Sequence, residues 1–320
     1  MMPRAVRLLL PLAVLLALAL APLVATDSYT RHLFIVAFVF AVVASNWNLS
    51  LGYCGVFNFG HLTFFGVGVY TAAIGAKTFG IDPWLAIPCG GVTAAVTAFL
   101  IATPVARLKG IYVVLVTFAF SQLALQLVLS QSQITGGGEG MVRIPFLQLG
   151  GYSFIRDFKL GYYYVALALL VLSTLFLRAV TASPFGKSLK AVRDAQDYSA
   201  ARGISVPRQR VMALVLSAIF TGIAGGFYAI YLRVASPDVF GFGTTSLVLS
   251  MVLLGGAGNL YGPIAAALAL TFVTETLAGF QGFEEARFIV VAVVIVLILR
   301  LAPGGILTLL DRSQRRGLQR

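Results

Sequence analysis

Apolar runs of bilayer length recur along almost all of these 320 residues, and that recurrence constrains the chain more than any single motif does. A helix needs roughly 20 apolar residues to cross the hydrocarbon core of a membrane. Runs near that length cover Leu8 to Val24, Leu33 to Leu51, His61 to Ala76, Leu85 to Val105, Ile111 to Leu129, Gly161 to Leu177, Val211 to Leu232, Ser246 to Val273 and Phe288 to Leu301. Backbone polar groups in lipid must pair within their own segment, so runs of this kind fold as helices. Charged residues make up only 11% of the chain and apolar residues 59%, against about 25% charged in a soluble domain. No stretch remains for a soluble catalytic domain, and residues 1–320 read as a single membrane domain.

The net charge of +12 does not point to nucleic acid, because the basic residues sit between the runs, where they set orientation and meet anionic lipid. Membrane lipids are the expected contact. Cys54 and Cys89 are the only cysteines and lack metal-ligand spacing, so no metal and no cofactor is expected.

The first run, within residues 1–26, follows Arg4 and Arg7 and ends in Leu23-Val24-Ala25. It reads as a retained first span or as a signal-like segment removed on export; retention is the working reading. Ser246 to Val273 is too long for one untilted helix and is broken by Gly255-Gly256-Ala257-Gly258-Asn259-Leu260-Tyr261-Gly262-Pro263, whose glycines and proline interrupt helical hydrogen bonding. Two short spans or a re-entrant pair are expected there.

Lys and Arg counts orient the chain. Arg178, Lys187, Lys190, Arg193, Arg202, Arg208 and Arg210 crowd the segment 180–210 and its edge, and Arg300, Arg312, Arg315, Arg316 and Arg320 crowd the end that includes the tail 302–320. Both regions are predicted to be cytoplasmic. With the amino terminus also inside, six crossings precede Thr181 and two across the broken run give ten in all. The glycine-rich segment 130–160 balances Arg143, Arg156 and Lys159 against Glu139 and Asp157, as suits a periplasmic loop.

The energy source follows from what the spans lack. Ion-coupled carriers keep ionisable groups inside their helices, whereas here most acids fall in loops or at run ends, leaving Glu275 near a boundary and His61 in a glycine-rich stretch. An ion-coupled secondary transporter is therefore a weaker alternative. A membrane enzyme is weaker still, because His32 and His61 are the only histidines and no HExxH or GxSxG occurs. Energy supplied from outside the membrane needs a receiving surface, and 180–210 is the one long basic loop. Ser183-Pro184 reads as an N-cap with a first-turn proline, and Gly203 as a C-terminal stop. Phe185, Leu189 and Val192 give one apolar face, with Lys187, Lys190, Arg193, Asp194 and Asp197 around it. Such a surface helix docks on a partner protein or rests on lipid headgroups. Gly186-Lys187-Ser188 is not a phosphate-binding loop, because the required first glycine is Thr181. Any ATP must bind another polypeptide.

Ordered motifs from about Asn46 to Ile306 resemble the permease subunits of branched-chain amino acid ABC importers. They comprise Asn46-Trp47-Asn48-Leu49 with Leu51-Gly52-Tyr53-Cys54-Gly55, Phe59-Gly60-His61 and Phe64-Phe65-Gly66; Arg107-Leu108-Lys109-Gly110-Ile111-Tyr112; Thr135-Gly136-Gly137; Ser183-Pro184-Phe185-Gly186 with Ala200-Ala201-Arg202-Gly203; Leu254-Gly255-Gly256; and Pro303-Gly304-Gly305. Ser121-Gln122 stands where many members of that family carry a glycine and an acidic residue, and Asn58 and Phe59 replace more usual small polar and aliphatic choices. The resemblance implies an all-α polytopic membrane protein, a bundle of about 9–10 transmembrane helices with a short broken or re-entrant pair and a cytoplasmic coupling helix, in a bacterial inner membrane with both termini cytoplasmic. Implied partners are two cytoplasmic ATP-binding subunits, a second related permease and a periplasmic substrate-binding protein. The ATPase-docking residues it implies are Ser183, Pro184, Phe185, Gly186, Lys187, Leu189, Arg193, Arg202 and Gly203. Urea or a short amide is the alternative substrate.

Polar residues inside the runs are the candidates for the substrate path. Thr117 and Ser121, and Gln122 and Gln126, form two strips at helical spacing, which line the path or bond within and between helices. Asn46, Asn48, Asn58 and His61 flank a turn between two runs and either cap broken helix ends or contribute to a gate. Glu275 and Asn259 complete the candidates.

Overall fold

The computed structural model describes residues 13–22, 27–149, 152–154 and 159–278. The run Phe288 to Leu301 and the tail 302–320 lie outside the described residues. In chain order the helices are α1 (Ala13–Pro22), α2 (Ser28–Asn48) continued by a π-helical turn (Leu49–Tyr53), α3 (His61–Lys77), α4 (Pro83–Val105), α5 (Ile111–Ser130), α6 (Ser132–Thr135), α7 (Leu160–Ala182), α8 (Pro184–Asp194), α9 (Gln196–Ala201), α10 (Val206–Leu232), α11 (Phe242–Gly255) and α12 (Gly262–Ala278). Five of these, α2 with its π turn, α4, α5, α7 and α10, are long and apolar enough to cross a membrane, and the chain is a multi-pass membrane protein.

Capping chemistry sets several helix starts. Asp27 accepts from Thr30 N at 3.2 Å to open α2, and Asp82 accepts from Trp84 N at 2.8 Å to open α4, whose first residue is Pro83. An acidic or hydroxyl cap satisfies a backbone N–H that has no partner within the helix. At α8 the Ser183 hydroxyl accepts from Gly186 N at 3.3 Å and Pro184 follows, as the sequence predicts.

α2 and α10 form the interior. α10 lies along α4 and α3, while α2 lies along α12 and α7. Small residues allow this: a Cβ on Gly68 would overlap the Gly222 carbonyl, and one on Gly222 would overlap the Gly90 carbonyl. The backbones of α3, α4 and α10 therefore touch, the usual route to tight helix packing in lipid, where apolar burial gives no drive. α5 and α7 turn apolar side chains such as Leu115, Leu123, Leu172 and Leu175 outward, as lipid-facing helices do.

The overlong run divides as expected, into α11 and α12 around 256–261, where Gly256 and Gly258 take φ values of +90° and +84°. One expectation needs correction. The helix predicted from Ser183 to Gly203 is two helices, because Ala195 is extended (φ −152°, ψ 83°) and turns the chain so that both α8 and α9 rest on α10. The described residues of segment 130–160 are ordered by two short strand pairings: β1 (Met141–Val142) pairs antiparallel with β4 (Val234–Ala235), and β2 (Gln148–Leu149) with β3 (Tyr152–Ser153). Ile144 and Leu147 are fully buried there, and Arg233 Nε donates to Ile144 O at 3.0 Å.

Candidate translocation path and docking surface

Two stretches without α-helix, the second a 3-10 turn over Pro237–Phe240, run between the helices. Residues 54–60 leave the π turn and pass along α5, where Phe59 N donates to Thr117 Oγ1 at 3.1 Å. Asn58 Oδ1 accepts from Gly60 N at 3.0 Å, and a Cβ on Gly60 would overlap the Thr117 carbonyl. Residues 236–241 pass beside α3, with the Phe240 ring stacked near Tyr70 and filling the space above Gly66. Phe59 ties the first stretch to α5 and to the start of α11, its ring centroid 5.7 Å from Phe118 and 5.8 Å from Phe242. Irregular backbone at membrane depth persists only where protein covers it or where it lines a cavity, and broken helices at such places hold transporter sites. Beside this region an apolar cavity of about 470 Å³ opens between α3, α4 and α5, lined in part by Tyr70, Cys89, Leu127 and Phe240.

The eight path candidates do not converge on one site. Asn46 is buried against α7, its Nδ2 donating to Ser173 Oγ at 2.7 Å and to Val42 O at 2.8 Å. His61 is fully buried, stacked on Trp47 with Nε2 3.1 Å from Thr221 Oγ1. The Thr221 hydroxyl points its one proton at Ser217 O, 2.8 Å away, so His61 Nε2 is the donor. Asn58 and Thr117 stitch the irregular stretch in place, and Ser121 is buried on the same side of α5. Gln122 is half-buried and Gln126 exposed, so of the two strips on α5 only this one reaches the outer surface. Glu275 is half-buried near the end of α12, its backbone carbonyl accepting from Tyr29 OH at 3.2 Å.

Sequence reasoning singled out neither Phe118 and Phe242 nor the convergence of Asn48, Gly52, Arg193 and Gly258. Arg193 Nη1 donates to Gly52 O at 2.6 Å, while Asn48 Oδ1 accepts from Gly258 N at 2.9 Å. Glycines at 52 and 258 were the available signal, since both lie where a side chain has no room.

The docking residues sort by the side of α8 they occupy. Leu189 and Val192 are buried in the chain's own core and Phe185 half-buried beside them. Gly186 is buried because a Cβ there would lie 2.5 Å from Thr181 Cα and from two carbonyl oxygens at the end of α7. Pro184, Lys187 and Lys190 face outward, the Lys190 ammonium 5.2 Å above the Tyr53 ring. The apolar face thus seats α8 on the bundle, and the polar face is the one presented. The Arg193 side chain, bonded to the Asp194 carboxylate at 2.8 Å, holds that carboxyl below its ordinary pKa. Beyond α9, Arg202 packs over Tyr198 and Gly203 takes φ +83°.

Residues 29–299 match a family described as the branched-chain amino acid transport system permease component. The chain belongs to that family. This permease component is 30% identical over 317 residues to the high-affinity branched-chain amino acid transport system permease protein LivM of Escherichia coli K12, an alignment covering 92% of this chain and 74% of that protein. It is 29% identical to the LivM of Salmonella typhimurium, over 84% of this chain and 68% of that one, and 24% identical to the E. coli K12 permease protein LivH, over 84% and 91%. No solved structure matches it. The family is one of transport permeases rather than enzymes.

Proposed function

We propose that this chain is the membrane-spanning subunit of an ATP-driven importer that moves branched-chain amino acids across a bacterial inner membrane. The observation that carries the reading is the family match over 29–299, together with similarity to both LivM and LivH. Similarity to two differently named permease proteins supports pairing with a second, related permease. Two cytoplasmic ATP-binding subunits dock on 180–210 and a periplasmic binding protein delivers the substrate to segment 130–160. In this arrangement both termini, including the tail 302–320, are cytoplasmic.

Within that assembly, Pro184, Lys187, Lys190 and Arg202 contact the ATP-binding subunits. Gly186 and Leu189 hold α8 on the bundle without touching a partner. The outward strip of Gln122 and Gln126 faces the second permease and the path between the two, where an amide offers hydrogen bonds to an amino acid's polar end. The aromatic trio of Phe59, Phe118 and Phe242 supplies an uncharged wall for its aliphatic side chain.

Competition in the reconstituted importer tests the substrate class. Excess isoleucine or valine is expected to block uptake of labelled leucine while urea does not; the reverse pattern makes this a urea or amide permease.

A further inference from the structure

Arg193 stands at the meeting point of three segments distant in sequence: α8, the π turn ending α2, and the break between α11 and α12. Its Nη1 donates to Gly52 O at 2.6 Å. A Cβ on Gly258 would sit 2.8 Å from that same nitrogen, and one on Gly55 would sit 2.9 Å from Arg193 Cγ. Asn48, one turn before Gly52, spans to the break with both ends of its amide, accepting from Gly258 N at 2.9 Å and donating to Asn259 O at 2.6 Å. Asn259 Oδ1 in turn accepts from Tyr261 N at 3.1 Å and Gly262 N at 3.3 Å, capping α12. Gly52 cannot be larger, because a Cβ would overlap both Asn48 Oδ1 and Gly258 N.

The π turn explains why Gly52 O is open to a side chain. Cys54 N bonds to Leu49 O, Gly55 N to Leu51 O and Val56 N to Ser50 O, so the chain's departure from α-helical pairing passes over Gly52. Single π turns are frequent at functional positions. A charged donor on a bare carbonyl makes a stronger bond than a neutral pair, and the amide bridge leaves the break little freedom to move apart from α2.

We infer that Arg193 and Asn48 are positioning residues that form one joint, carrying displacement of α8 through Gly52 to the α11–α12 break. The inference rests on the importer reading above and deepens it. α8 is pressed from outside by the docked subunits, and the joint makes α2, α11 and α12 follow. Arg193 acts inward here, distinct from Lys187 and Pro184 on the presented face.

The test uses the complete importer in liposomes, measuring leucine uptake and ATP hydrolysis together. Arg193→Gln and Asn48→Ala are each expected to lower uptake per ATP at least fivefold with subunits still bound, Arg193→Lys to recover part of it, and the double variant to fall no further than the worse single one. A merely structural role lowers yield and melting temperature but leaves that ratio unchanged, and an unchanged ratio overturns the joint. A second measurement needs neither variant: with spin labels at Ala191→Cys, a half-buried α8 position outside the assigned docking contacts, and Tyr261→Cys in a Cys89→Ser background, the separation is expected to stay constant between nucleotide-free and nucleotide-bound assemblies. A separation that changes overturns the joint even if uptake is normal. Absence of ATP-driven uptake in the wild-type assembly overturns the importer reading itself, and is distinguished by that control.

Discussion

His61 lies flat on Trp47, ring centroids 5.3 Å apart and planes 16° from parallel, with its Nε2 3.1 Å from Thr221 Oγ1. Three helices, α2, α3 and α10, are joined by this contact, and the imidazole is fully buried. The indole face and the hydroxyl fix the orientation of the imidazole between these helices. Thr221→Val removes one interhelical hydrogen bond and is expected to destabilise the fold by about 1 kcal/mol, whereas Trp47→Ala opens a large void and costs about 3–5 kcal/mol. Thermal unfolding of the detergent-solubilised chain ranks the two.

Two glycines on α3, about two turns apart but opposite in surroundings, give a matched test. Gly68 meets the Gly222 backbone, while a Cβ on Gly75 finds only ordinary contacts at 3.6 Å and 3.8 Å. Gly68→Ala forces α3 and α10 apart and is expected to cost about 3 kcal/mol, the upper range for overpacking. Gly75→Ala is expected to stabilise by about 0.5–1 kcal/mol, the helix penalty of glycine. Melting temperatures in the same detergent decide it.

At the docking loop, Gly186→Leu and Lys187→Glu separate seating from contact. The leucine collides with the end of α7 and lifts α8, so both chain stability and co-purification of the ATP-binding subunits fall. The glutamate lies on the exposed face, so stability stays within about 0.5 kcal/mol while co-purification falls. Equal loss of stability in both variants contradicts the assignment of faces.

On α5 the two polar strips predict opposite phenotypes. Thr117→Val strands Phe59 N, a part-buried donor, at a cost of about 1 kcal/mol. Gln126→Leu leaves melting unchanged and lowers leucine uptake several-fold. Uptake assays beside melting curves check both.

Much of the architecture was legible because lipid demands helices and the demand shows as apolar runs. Ser183-Pro184 and Gly255 to Pro263 carried their own punctuation. The start of α10 was not legible, since Val206–Arg210 is too polar to extend the apolar run and is helical because it continues α10 beyond the apolar part. Nor was the break at Ala195, an ordinary helix former extended by tertiary context. Spacing placed Thr117 with Ser121 and Gln122 with Gln126, but only packing says which strip is interior. Asn46 and His61 stood out in the sequence as polar residues in or beside a span, but such polarity signals function or interhelical bonding alike, and one chain's spacing does not separate the two.

The central claim is that this bundle has no energy source of its own and is driven from the face that carries α8. Labelled leucine uptake is the direct measurement, comparing liposomes that hold this chain alone with liposomes that hold it with its second permease, ATP-binding subunits and binding protein. The account predicts accumulation only in the complete assembly and only with hydrolysable ATP on the side of the bilayer that carries the docking face. Accumulation by the lone chain under an ion gradient, without nucleotide, would contradict it.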